Sequence, residues 1–218
     1  MTTMKITRTI LLVSLFAAAF AFVESSVVVY LRLLYYPEGF SFPLKPGLMS
    51  HIVVELCREF TTIVMLVVVG MIAGKSRWQR FSYFMIAFGV WDIFYYVWLK
   101  VILNWPASFL DWDILFLIPV PWIGPVVAPV LVSTVMIAGG WLILAKEEAS
   151  GKFSATKPAM ILSVAGSVVV IASFLIDTDA SLRFQEPKPY RYELLVLSMV
   201  CYAAAFALTL RSSKQTKM

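Results

Sequence analysis

His51, Glu55, Arg58, Glu59 and Thr62 open an otherwise apolar stretch that runs to about Gly74. On a helix of about 3.6 residues per turn they fall within one face roughly 100° wide. Four of these five side chains can carry charge, in a segment long enough to cross a bilayer. Ionisable groups at membrane depth are costly, and they usually face the protein interior or a wet cavity. This face is therefore the first candidate for a working site. Acids held this way can trade protons, ligate a cation, or pair with Arg58 to fasten helices.

The surrounding composition sets the solvent. The chain has 218 residues, of which 61% are hydrophobic and 14% charged, with a mean hydropathy of +0.85. A soluble domain runs near 45–50% apolar and about 25% charged. The expected fold is all-α: a polytopic membrane bundle of about six transmembrane helices. A single transmembrane domain spans 1–210, followed by a basic cytoplasmic tail at 211–218 that is expected to be disordered. The net charge of +5 follows loop positions and forms no basic stripe, so a nucleic-acid partner is not expected. The expected partners are the lipid bilayer and other membrane subunits. Cys57 and Cys201 lack CxxC spacing and read as two buried thiols.

Six apolar segments can be traced. The first covers about Thr9 to Tyr30 behind Lys5 and Arg8. A cleaved signal peptide is the competing reading, with Ala19 to Ala21 as the cleavage site, but the apolar run continues through Leu31. Glu24 interrupts this segment. An aromatic and proline-rich loop, Tyr35 to Pro43, is expected to lie on the membrane surface. The second segment is His51 to about Ala73. The third is about Trp78 to Lys100, with Asp92 as its only mid-helix charge. The fourth is about Gly124 to Ala145, the fifth about Lys157 to Ile176 and the sixth about Tyr190 to Leu210. Between the third and fourth lie Pro119, Pro121, Pro125 and Pro129, which cannot share one regular helix. Residues 107–118 are expected to form a short interfacial or re-entrant helix that the prolines then break. Asp111 and Asp113 read as its caps. Trp91, Trp98, Trp105, Trp112 and Trp122 read as interface anchors.

Loop charge gives the orientation. Lys5, Arg8, Lys75, Arg77, Arg80, Lys146, Lys152, Lys157, Arg211, Lys214 and Lys217 fall on the face that holds the termini, which makes eleven. Arg32, Lys45, Lys100, Arg183, Lys188 and Arg191 make six on the other. The positive-inside rule predicts a multi-pass cell-membrane protein with both termini cytoplasmic.

Depth ties the acids together. At about 1.5 Å per residue, Glu24 lies about 22 Å and Asp92 about 21 Å from the inner ends of their segments. With a hydrocarbon core of about 30 Å, Glu55 and Glu59 lie about 18–24 Å from the same side. One cluster in the outer half is expected: Glu24, Glu55, Glu59 and Asp92, with Arg58 as counter-ion and Tyr95 and Tyr96 beside Asp92. Four acids against one obligate cation need help. Protons, a divalent metal ion, or a second cation such as Lys100 or Arg32 would supply it.

The possible chemistries follow from that list. A proton- or metal-dependent centre would handle a small ion or a lipophilic substrate, or do acid–base chemistry on a lipid or isoprenoid. The metal version would use His51, Glu55 and Glu59, although His51 is the only histidine. The structural alternative is an accessory subunit in which Arg58 and its acids form an interhelical ion-pair network. No internal repeat supports a secondary transporter. Serine-nucleophile, Walker and dinucleotide-binding motifs are absent from the sequence.

Overall fold

The computed structural model describes residues 3–45 and 51–215. Seven helices and one hairpin follow in order: α1 (Thr3–Tyr35), α2 (Ile52–Ala73), α3 (Arg77–Leu103), β1 (Trp112–Phe116), β2 (Trp122–Pro125), α4 (Val127–Ser150), α5 (Lys157–Leu175), α6 (Thr178–Leu182) and α7 (Tyr192–Gln215). Five of the helices are long and apolar enough to cross a membrane: α1, α3, α4, the α5–α6 unit and α7. The chain is thus a helical bundle of membrane-protein character. α2 is 22 residues long and carries the charged face at its start.

α3 is the central post, packed against α1, α2 and α4, while α5 and α7 pair with each other. Small residues allow these close approaches. Val13, Ala17, Ala21 and Ser25 form the buried stripe of α1. A Cβ at Gly70 would lie 2.7 Å from the Arg80 carbonyl oxygen, and one at Gly89 would lie 2.6 Å from that of Ser133. In lipid such contacts hold helices together, because no hydrophobic drive separates a helix from its solvent. α2 buries Glu55, Glu59, Thr62, Leu66 and Gly70. That single stripe at helical spacing turns its charged start and its apolar middle toward the same partners.

Several expectations are corrected. Residues 107–118 do not form a helix. A turn at 107–111 leads into an antiparallel hairpin, with Asp113 opposite Gly124 and Ile114 opposite Ile123, and with an irregularity between Ile114 and Phe116. A short apolar run bounded by turn residues suits a buried strand as well as a helix. Strand pairing satisfies the backbone groups that the prolines would leave unpaired in a helix. Asp111 does cap the turn, accepting from the Ala107 and Ser108 N–H groups at 2.7 and 3.2 Å. α7 continues past Leu210 to Gln215, since nothing between them breaks a helix. Cys57 is exposed and not buried, and it is not bonded to Cys201. Trp91 is buried, Trp98 donates to the Ala18 carbonyl of α1 at 2.9 Å, and Trp105 covers Arg32 at 3.7 Å. Trp91 thus packs the interior, while Trp98 and Trp105 are half-buried.

Candidate functional site

Four elements meet around a cavity of about 110 Å³. α1 supplies Glu24 and Arg32, α2 supplies Glu55, Arg58, Glu59 and Thr62, and α3 supplies Trp91, Asp92, Tyr95 and Tyr96. β1 and the residue after it supply Asp113 to Leu117. The expected cluster of Glu24, Glu55, Glu59, Asp92 and Arg58, flanked by Tyr95 and Tyr96, therefore lines one space.

Arg58 forks between helices. Its guanidinium pairs with Glu24 on α1 and with Glu55 one turn back on α2, the latter at 2.9 Å. Glu24 also accepts from the Thr62 hydroxyl. Glu24, Glu55 and Thr62 are all buried. The bidentate geometry of arginine suits this junction of two carboxylates.

A second pair closes one side of the cavity. Arg32 donates to Asp113 at 2.8 Å, with side chains 8% and 3% exposed, so the pair is sealed from solvent. The guanidinium lies under Phe40 and Trp105, 4.4 and 3.7 Å from the ring centroids. The loop after α1 is folded over this pair: Tyr36 is buried, and its hydroxyl accepts from the Lys45 N–H at 2.8 Å. Burial pushes the Asp113 carboxyl up from its ordinary value, and the Arg32 guanidinium opposes the shift.

Glu59 and Asp92 are held differently. Glu59 accepts from the Leu117 N–H at 2.7 Å. Asp92 accepts from the Ser133 hydroxyl of α4 at 2.8 Å. Both are buried, at 8% and 9% exposure, and among the described residues neither has an ion-pair partner. The Gly89–Ser133 approach, one turn before Asp92, sets the distance between that carboxyl and its hydroxyl donor.

Some expected members lie elsewhere. Lys100 is not in the cavity; its ammonium donates to the Pro106 carbonyl at 2.9 Å, on the exterior. His51 is exposed at the start of α2, and its Nδ1 meets the Tyr35 hydroxyl at 2.7 Å. Among the described residues no group of three or more His, Cys, Asp or Glu side chains is arranged to hold a metal ion. The His51, Glu55 and Glu59 set thus has no geometric support.

Asp113 is the member that sequence reasoning misassigned, as a helix cap. The signal that points to it is the continuous apolar run 112–118 in which it sits. An acid inside a buried strand needs a cation, but the run itself does not say which one, and Arg32 and Lys100 both fall on that side.

No family model, curated protein or solved structure matches the chain.

Proposed function

We propose that the protein is a six-span cell-membrane protein whose buried carboxyl centre is proton-dependent and handles a small ion or a lipophilic substrate. α2 would be the sixth span. Its support is its 22-residue length and its packing along α3. The Lys and Arg distribution supports cytoplasmic termini, with the hairpin and the 36–45 loop roofing the centre from outside.

One observation carries this reading. Five acids, Glu24, Glu55, Glu59, Asp92 and Asp113, line the cavity with two arginines. Glu24, Glu55 and Asp113 are claimed by Arg58 and Arg32. The interhelical network of the structural alternative accounts for those three. It leaves Glu59 and Asp92, which among the described residues form no ion pair and accept from neutral donors, with Arg58 acting on Glu59 only from beyond ion-pair distance. A carboxylate without a cation is costly in a low-dielectric interior, and a bound proton removes that cost. Such a carboxyl can then give its proton to a substrate or relay it. Acid–base chemistry on a lipid is the enzymatic form of this reading, and proton-linked ion handling is the other.

The test is infrared difference spectroscopy of the full chain in nanodiscs as pH is raised, following the C=O stretch of protonated carboxyls. The expected result is a protonated-carboxyl band at neutral pH that is reduced in Glu59→Gln and in Asp92→Asn. A wild type with no such band would leave only the ion-pair network.

A further inference from the structure

A second cavity of about 630 Å³ lies between the α3–α4 pair and the α5–α7 pair. Its volume falls within the range of small-molecule sites, about 300–1,000 Å³. It extends along α3 from Trp78 to Asp92, about 21 Å at about 1.5 Å per residue. The wall is apolar and rich in aromatic rings. Four of the rings make an unbroken series. Phe88 meets Phe116 with ring centroids 6.2 Å apart, Phe116 meets Trp122 at 5.9 Å, and Trp122 meets Phe174 at 6.4 Å. Phe88 lies one turn before Asp92 on α3, so this series begins beside the acid.

Charge is spread unevenly over this wall. Asp92 is its one carboxyl, and no Lys or Arg lines it. One Asp92 oxygen accepts from the Ser133 hydroxyl at 2.8 Å. The other has no hydrogen-bond partner among the described residues, and Asp92 keeps 9% of its surface exposed. Tyr202 of α7 is the other titratable group on the wall, and its hydroxyl meets that of Ser167 at 3.0 Å. Asp92 also lines the first cavity. There α1 brings Glu24 and Arg32, α2 brings Glu55, Arg58 and Glu59, α3 brings Tyr95 and Tyr96, and β1 brings Asp113. Three of those carboxylates share two guanidiniums. The surroundings of Asp92 are therefore negative on one side and apolar on the other.

We propose that the second cavity binds a lipophilic organic cation, with its charge spread over aromatic or alkyl groups, in exchange for the Asp92 proton. The empty site holds Asp92 neutral. On binding, the carboxyl O–H bond breaks, the proton leaves to water, and the carboxylate left behind pairs with the cation. One positive charge enters as one leaves, and the Ser133 hydroxyl donates to the carboxyl in both states. Charge complementarity selects this occupant. An anionic ligand would meet an acid and no cation. A metal ion needs several oxygen ligands, and among the described residues no group of three or more acids, His or Cys is arranged to give them. A primary ammonium brings three donors to a wall that is otherwise apolar. A delocalised cation needs a single carboxylate and ring faces, which attract it further. The inference rests on the proton-dependent reading, because it starts from a neutral Asp92, and it adds the class of substrate.

The experiment measures binding of radiolabelled tetraphenylphosphonium to the full chain in nanodiscs as pH is raised, with empty nanodiscs as background. This probe has no hydrogen-bonding group, so it reads charge and ring contacts alone. Saturable binding is expected, tightening by up to about tenfold per pH unit while Asp92 still holds its proton. In weak buffer, about one proton should be released per cation bound in that range. Asp92→Asn should weaken binding by about tenfold or more and flatten the pH profile, and Asp92→Glu should restore the slope. Triphenylphosphine oxide, a neutral aromatic acceptor, should compete only weakly. If Asp92→Asn does not fold, the wild-type slope and proton count decide. A flat wild-type profile without proton release, equal competition by the oxide, or an Asp92→Asn protein that binds as tightly as the wild type would overturn the inference. If no saturable binding is found while the protonated-carboxyl band of Asp92 persists, this substrate class falls and the proton centre stands. If the cation binds without releasing a proton and that band is absent, both readings fall.

Discussion

Glu59 and Asp92 differ from the other buried acids in what holds them. Arg58 pins Glu24 and Glu55, so its removal strands two carboxylates at once. Breaking a buried pair by deleting one partner costs about 3–5 kcal/mol. Arg58→Met is therefore expected to lower the melting midpoint in detergent more than Glu24→Gln does. An Arg58→Met protein as stable as the wild type would show that the fork contributes nothing. Much of this site was legible in the sequence. The helical phase of Glu55, Arg58 and Glu59, with depth counting for Glu24 and Asp92, brought five ionisable groups to one level. Asp113 was not legible, because its partner Arg32 lies 81 residues away and local spacing carries no sign of that meeting.

At the scale of elements, two glycines on the α3–α4 interface should behave differently. A Cβ at Gly89 would meet the Ser133 carbonyl oxygen at 2.6 Å, and backbone cannot step aside without moving α4. A Cβ at Gly139 would meet the end of the Met85 side chain at 2.9 Å, which can rotate away. Gly89→Ala should cost about 1–3 kcal/mol by overpacking and loosen the Asp92–Ser133 bond, whereas Gly139→Ala should be close to neutral. Thermal unfolding of the two variants checks this, and equal effects would contradict it. The long helices were readable because twenty apolar residues leave few alternatives in lipid. The hairpin was not, because a seven-residue run before a proline, apolar but for Asp113, fits a helix or a strand equally until a pairing partner is known. Here the partner is Trp122 to Pro125, a segment whose Pro125 reads from sequence only as a break.

At the scale of the molecule, orientation and the sixth span are open to direct test. A fluorescent protein that folds only in the cytoplasm, fused after the C-terminus, should fluoresce. A cysteine placed at Ser108, in a background lacking Cys57 and Cys201, should react with an impermeant maleimide on intact cells. A dark fusion together with an unreactive turn would reverse the orientation. Opposite sidedness of the two termini would remove α2 as a span. Inside this frame the 36–45 loop and the hairpin cover one end of the centre, and the α5–α7 pair packs against β2 and α4.

The most direct measurement compares the melting midpoints of Glu59→Gln, Asp92→Asn and Glu24→Gln beside the wild type, in one detergent at neutral pH. Gln and Asn keep an oxygen for the Leu117 N–H and the Ser133 hydroxyl, so they remove charge without removing the acceptor. If Glu59 and Asp92 are surplus carboxyls kept for proton exchange, their amides should melt at or above the wild-type midpoint, while Glu24→Gln falls by about 5 °C or more. If Glu59→Gln and Asp92→Asn fall as far as Glu24→Gln, all the acids serve one structural ion-pair network, and the proton-exchange reading is wrong.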